Sequence, residues 1–235
     1  MRVMKDREEH PDSGPSLVCF CEVVTRDPFF LVARSGLPAF TLADLHHLRL
    51  GSVSEVATPW LCLQQDLRDL GVDPGAIARV ADQTMMANLD ALREDRLDVV
   101  QLFEPYVSMA LSGGFGRIVY AASERGRTAY TSLIATRDGV SRKRDAFAAM
   151  IRATARMQSW LGTHDAAELA ATAAPFFPHV PPALFLTALQ RYKQAGVWAD
   201  TPVISRAGFA RLGQSIQSGG FVRSLPAYEN CIADI

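Results

Sequence analysis

With 235 residues, 49% hydrophobic and 21% charged, and a net charge of -1, the chain has the make-up of an ordinary globular protein of one large or two small domains. That balance supplies no field to gather nucleic acid or an anionic membrane as a partner. No apolar run approaches the roughly 20 residues that span a bilayer.

Residues 1–16 carry no apolar h-region and no small-residue cleavage site, so they do not read as a secretory signal. The polar, Pro- and Gly-containing residues 5–16 predict a loop or frayed end. Two short apolar strands follow, Leu17 to Val24 and Phe29 to Ala33, separated by a turn at Arg26-Asp27-Pro28 in which a local ion pair is the expectation. Thr41 caps a short helix from Leu42 to Leu48, with Asp44 in the favourable first turn. A strand over Leu48 to Ser54 runs into Thr58-Pro59, a helix start in which Thr accepts from free amides and Pro suits the first position. Leu61, Leu63, Leu67 and Leu70 continue as a helical stripe that Gly71 ends. A second helix spans Thr84 to Glu94, and Leu97 to Tyr106 reads as a buried strand ending in a carboxylate and an aromatic ring. Strand, helix, strand, helix, strand is the layout of an open α/β sheet, which binds ligands at the carboxyl ends of its strands.

Arg117 to Ala121 and Thr128 to Thr136 predict two further strands around a polar turn. From Ser141 the character changes to helices: Ser141 to Leu161, Asp165 to Ala174, Pro182 to Ala195, and Ser205 to Gln217 closed by Gly219-Gly220. Arg142, Lys143, Arg144, Arg152 and Arg156 form the wet side of the first of these. Cys19, Cys21, Cys62 and Cys231 include no CxxC pair and read as buried thiols that require no disulfide. Cys19 and Cys21 stand at period two on one strand face, where core packing is preferred to a metal site shared with His46, His47 or His10. No Walker loop, GxGxxG, HExxH or Ser-His-Asp order is present.

The stretches TLADLHHLRLGSVSE, LRDLGVDPGAIARV, NLDALREDRLDVVQLFEPYV and GVWADTPVISRAGFARL resemble, in order and spacing, the periplasmic solute-binding proteins of ABC importers, in the branch for nitrate, alkanesulfonates, taurine and thiamine pyrimidine precursors. Asp95-Arg96 departs from the pattern, which usually has Gly before the third stretch's strand. The resemblance implies an α/β, two-lobed type II periplasmic-binding fold in which the first βα units of lobe one are missing. Residues 1–42 would end lobe one's first segment, 43–122 would be lobe two, and 123–235 would return to lobe one, with hinge crossovers near Phe40 and Ser123. It further implies a monomeric protein with no enzymatic activity and no cofactor, which binds a small molecule between hinged lobes and delivers it to an ABC permease. A periplasmic location follows if a signal peptide precedes this chain, and a cytoplasmic one follows as written. A cytoplasmic ligand sensor of the same fold, or a pyrimidine-synthase-like enzyme, are the alternatives.

Six residues are the candidate ligand contacts. Thr58 and Trp60 sit at a helix N-terminus that follows a strand, an anion site with a stacking ring, or equally an ordinary cap and a core tryptophan. Glu104 and Tyr106 lie at a strand end, where Glu104 would suit an amino-pyrimidine better than a purely anionic ligand, since an unpaired buried charge is costly. Its alternative is capping its own helix. Arg125 and Tyr130 fall at the return crossover; for Arg125 a surface loop is preferred to a cleft.

Overall fold

The protein is described from a computed structural model covering residues 1–10 and 16–235. In chain order its elements are α1 (Arg2–Glu9), β1 (Leu17–Val24), β2 (Phe30–Arg34), β3 (Arg49–Val53), α2 (Thr58–Asp69), β4 (Ala78–Gln83), α3 (Met85–Arg93), β5 (Val99–Leu102), α4 (Tyr106–Ser112), β6 (Gly116–Ala121), β7 (Thr131–Thr136), α5 (Arg137–Arg142), α6 (Arg144–Thr163), α7 (Ala166–Ala173), α8 (Pro182–Gln194), α9 (Arg206–Ser218) and α10 (Tyr228–Cys231). The chain divides into two compact units. Unit 1 takes 1–27, 125–165 and 196–235; unit 2 takes 28–124 and 166–195. Residues 28–42 and 166–195 therefore fold with the middle of the chain, not with the flanking segments to which the sequence division gives them. No helix among the described residues is long and apolar enough to cross a membrane.

Unit 2 is built on a five-stranded sheet of order β4-β3-β5-β2-β6. β3 runs parallel to β4 and β5, whereas β2 runs antiparallel to β5 and β6. β5 lies in the middle with all four residues buried, its Val99, Val100 and Leu102 apolar and its Gln101 a buried polar exception. Period-two alternation sends Leu31, Ala33, Leu50 and Val99 to one face, where they pack with Leu45 and with Leu63 and Leu67 of α2. The opposite face carries α3 and α4. There Gly51 is required by close approach: a Cβ would stand 2.6 Å from Leu97 Cδ1 and 2.7 Å from Asn88 Oδ1. Gly71, at φ +77°, ends α2 in a conformation that costs other residues energy. α7 and α8 form a helical hairpin joined through 174–181, and α8 packs on α4.

Unit 1 pairs β1 with β7 in a two-stranded antiparallel sheet. The polar start is helical over Arg2–Glu9, because Val3 and Met4 are buried and Asp6 receives the Leu17 N–H at 2.9 Å; residues 11–15 of the expected loop lie outside the described residues. A bulge between Cys19 and Cys21 pairs them with Ile134 and Leu133, neighbours on β7. The extra residue turns the two thiols to opposite faces, so they do not share one. The expected helix from Ser141 is interrupted at Lys143, where φ -125° and ψ 36° separate α5 from α6. The two strands expected around a turn join different sheets: β6 pairs with β2 and β7 with β1.

Candidate functional site

The carboxyl edge of the parallel strands is where α2, α3 and α4 begin. Two of these helix starts are closed by carboxylates. The Met85 amide at the head of α3 donates to Glu55 Oε1 at 2.9 Å, and the Thr84 hydroxyl accepts from Ala87 at 3.2 Å. At the head of α4, Ser108 N–H donates to Glu104 Oε2 at 3.0 Å. The head of α2 differs. Its N-cap is Ala57, which offers no capping side chain, and Thr58 and Pro59 occupy the first two helical positions. Thr58 is thus the first residue of the helix and not its cap, a correction of the expected start. First-turn amides of a helix have no intrahelical acceptor, and the dipole favours negative charge there.

Three further side chains gather at that end. Trp60, half-buried against the unit 2 core, lies under the Arg79 guanidinium, whose carbon is 4.5 Å from the ring centroid. Arg79 Nη1 donates to the buried Ser52 hydroxyl at 3.2 Å. Gln101 is 3% exposed and donates through Nε2 to the Pro59 carbonyl at 3.1 Å, while its Oε1 has no hydrogen-bond partner. Leu50 pairs with Arg79 and points to the α2 face, so Ser52, two residues on, Arg79 and Gln101 share that face.

Glu104 belongs to the same edge but is engaged within unit 2. Its Oε1 takes the Arg191 Nη1–H of α8, which also donates to Ser108 Oγ at 2.8 Å. Its own backbone N–H donates to Tyr192 Oη at 2.9 Å. The Glu104–Pro105 peptide is cis. Helix capping plus a buried ion pair satisfies the carboxylate, so the argument that an unpaired charge there repels an anion does not hold. Tyr106 opens α4 half-buried, its ring edge-on to Phe103 at 6.2 Å.

The other two candidates are in unit 1. Arg125 is not a surface residue: its side chain is 7% exposed and pairs with the fully buried Asp27 at 2.9 Å. Asp27, expected to pair locally in its turn, pairs with a residue 98 positions away. Tyr130 is half-buried directly before β7. Thr58, Trp60, Glu104 and Tyr106 thus share unit 2, and Arg125 and Tyr130 share unit 1. Sequence reasoning missed Ser52, Arg79 and Gln101. The period-two pattern around β3 held a usable signal for Ser52 alone.

Two cavities within unit 2 lie away from these residues. One of about 390 Å³ is lined by Ala170, Phe177, Pro182 and Phe185, and one of about 470 Å³ by Arg93, Met109 and Phe115. Among the described residues no group of three or more His, Cys, Asp or Glu side chains is placed to hold a metal ion.

Residues 38–174, more than half the chain, match the NMT1-like family. A provisionally assigned binding protein of Bacillus subtilis (strain 168), YtlA, is 23% identical over 206 residues, or 87% of this chain; the chain spans 62% of YtlA's length. Among solved structures, the alkanesulfonate-binding protein SsuA from Xanthomonas axonopodis pv. citri, bound to MOPS, superposes with a TM-score of 0.66 at 17% identity, covering 90% of this chain and 71% of that one. A cysteine-to-serine mutant of DszB, in complex with biphenyl-2-sulfinic acid, superposes with a TM-score of 0.64 at 14% identity, covering 92% and 76%. The α/β fold is therefore that of type II periplasmic solute-binding proteins.

Proposed function

Because the chain belongs to the NMT1-like family, we propose that it is the solute-binding component of an ABC importer, binding a small organic anion of the sulfonate type and delivering it to a membrane permease from the periplasmic side. It works by binding and release, with no bond made or broken. The observation that carries this reading is the head of α2. A 12-residue helix starts at the carboxyl edge of a parallel strand, its N-cap lacks a capping side chain, and Trp60 stands in its first turn. Neighbouring helix heads receive Glu55, Thr84 and Glu104. The alkanesulfonate-binding neighbour supports the class of ligand.

An anion is favoured over an amino-pyrimidine because the carboxylate expected to receive an amino group, Glu104, is already held by Arg191. Thr58, Trp60 and Tyr106 are the contacts proposed in unit 2. Arg125 and Glu104 serve the architecture of their own units, and Tyr130 is not assigned a contact.

Calorimetric titration with ethanesulfonate, taurine, nitrate and a hydroxymethyl amino-pyrimidine tests the proposal. Saturable binding of a sulfonate, weakened in Trp60→Ala, is expected. Binding of none of the four would overturn it, and exclusive binding of the amino-pyrimidine would overturn the ligand class.

A further inference from the structure

Glu22, in β1 of unit 1, is a carboxyl sealed in the fold with no cation against it. It is 0% exposed, and among the described residues it enters no ion pair. One oxygen, Oε2, accepts from the Ser205 N–H at 3.4 Å, and the other, Oε1, has no hydrogen-bond partner. An ionised carboxylate can accept at about four lone-pair sites, and a buried charge so poorly served is among the costliest groups in a protein.

The surrounding groups do not repair this. The Thr25 hydroxyl stands beside the carboxyl and eases its charge, yet its Oγ1 forms no well-aligned hydrogen bond. Across on β7 the register partner is the neutral Ser132. α6 presents Gln158, whose Nε2 is spent on the Glu22 carbonyl at 2.8 Å. Arg127 and Asp200 act through space with opposite sign, and they bond each other at 2.7 Å. From α10, the Tyr228 hydroxyl donates to the Ile204 carbonyl at 2.7 Å. Arg206 of α9 and Glu229 of α10 close on each other at 2.6 Å. α1 meets β1 at its far end, where Asp6 takes the Leu17 amide. The head of α9 adds the positive end of its dipole. Burial outweighs the favourable contributions and pushes the carboxyl above its ordinary range. A neutral acid removes the conflict, because its O–H is a donor that the Thr25 oxygen can accept.

The chain passes between its two units at 27/28, 124/125, 165/166 and 195/196. Within unit 1, the flanks of the first, second and fourth passages are tied at Thr25, just past the end of β1. The Thr25 N–H donates to the Val197 carbonyl at 2.9 Å, and the Thr128 N–H donates to the Thr25 carbonyl at 2.7 Å. Glu22 extends the same knot, its own N–H donating to the Pro202 carbonyl at 2.8 Å.

We infer that unit 1 keeps Glu22 as a neutral acid at pH 7 and that this proton braces the passages: when alkali removes it to solvent, the backbone bonds joining residues 25, 128 and 197 loosen. A carboxyl harder to ionise in the fold than in the open chain contributes fully below its unfolded pKa. That contribution is lost as pH climbs through the folded value. Between the two, opening releases one proton, so the opening constant should rise about tenfold per pH unit.

Infrared spectroscopy and amide hydrogen exchange from pH 5 to 9, on wild type and Glu22→Gln, test this. Wild type at pH 7 should show the C=O stretch of a neutral carboxyl, lost in alkali and absent from Glu22→Gln. Protection of the Thr25 and Thr128 amides should fall about tenfold per pH unit in wild type and stay level in Glu22→Gln. The β5 amides of unit 2 should stay level in both. No neutral-acid band in wild type at pH 7 would overturn the protonation and the brace together. Level protection in wild type, or an equal fall in Glu22→Gln, would overturn the brace. So would a parallel fall at β5, which marks global unfolding. The wild-type band and the wild-type protection profile decide the proposal even where Glu22→Gln fails to fold.

Discussion

Replacing Glu104 with Ala separates an architectural carboxylate from a ligand contact. In the folded protein Glu104 has a side chain only 3% exposed, accepts the Ser108 amide at 3.0 Å and receives Arg191, itself 18% exposed. Loss of the capping bond costs about 1 kcal/mol. Stranding Arg191 in a largely buried position costs about 3 kcal/mol, the low end for a broken buried pair because the guanidinium keeps some contact with water. The sum is about 4 kcal/mol. For an m-value of about 2 kcal/mol/M, the urea midpoint of unit 2 should fall by about 2 M. Glu104→Gln, which keeps an acceptor for Ser108, should lose less, and an Arg191→Met, Glu104→Met pair should recover part of the loss. Circular dichroism against urea measures this directly. A Glu104→Ala protein with an unchanged midpoint but a lost sulfonate isotherm would refute the assignment and return Glu104 to the ligand.

Other consequences follow from buried groups. Arg49, and then Arg34, hold the Asp98 carboxyl well below the usual carboxylate range through hydrogen bonds at 2.9–3.1 Å. A depressed carboxyl stabilises the fold above its unfolded pKa and loses that contribution as the medium becomes more acidic. Asp98→Asn should therefore destabilise unit 2 by about 2 kcal/mol at pH 7, and the gap should narrow below about pH 4 in acid titrations followed by fluorescence. Glu22 is the opposite case: burial pushes its carboxyl up, offset by Thr25 and the Ser205 amide. Its contribution is full below the unfolded pKa and fades as pH rises, so Glu22→Gln should raise the thermal midpoint at pH 8 relative to wild type and leave it unchanged at pH 4. Gly51→Ala should cost about 1–3 kcal/mol in urea unfolding, because the added methyl meets Leu97 and Asn88 at under 3 Å.

The parts of this architecture carried by local pattern were legible. Thr84 and Ser205, capping α3 and α9, announce both helices, and the Val- and Phe-rich runs of β1 and β2 announce two strands. Order and spacing of motifs revealed the family relationship. What depended on distance in sequence was not legible. Arg191 stands 87 residues from Glu104, and nothing local to either residue selects the other. The pairing of Arg125 with Asp27 is hidden by the same separation, and the adjacent Arg26 supplies a nearer but misleading partner. α1 escaped detection because two apolar residues, Val3 and Met4, in eight positions make no stripe. The bulge in β1 inserts a residue that composition does not mark. Arg79 reads from sequence as one arginine among many; only the fold sets it on Trp60.

The central claim concerns one place, the head of α2. Crystals grown with 2-bromoethanesulfonate would locate the ligand through the anomalous signal of bromine. The account requires that peak within a few ångströms of the α2 first turn, with the sulfonate oxygens on the backbone amides there and Trp60 beside them. A bromine peak at any other surface, with no ligand density at the α2 first turn, would contradict the account.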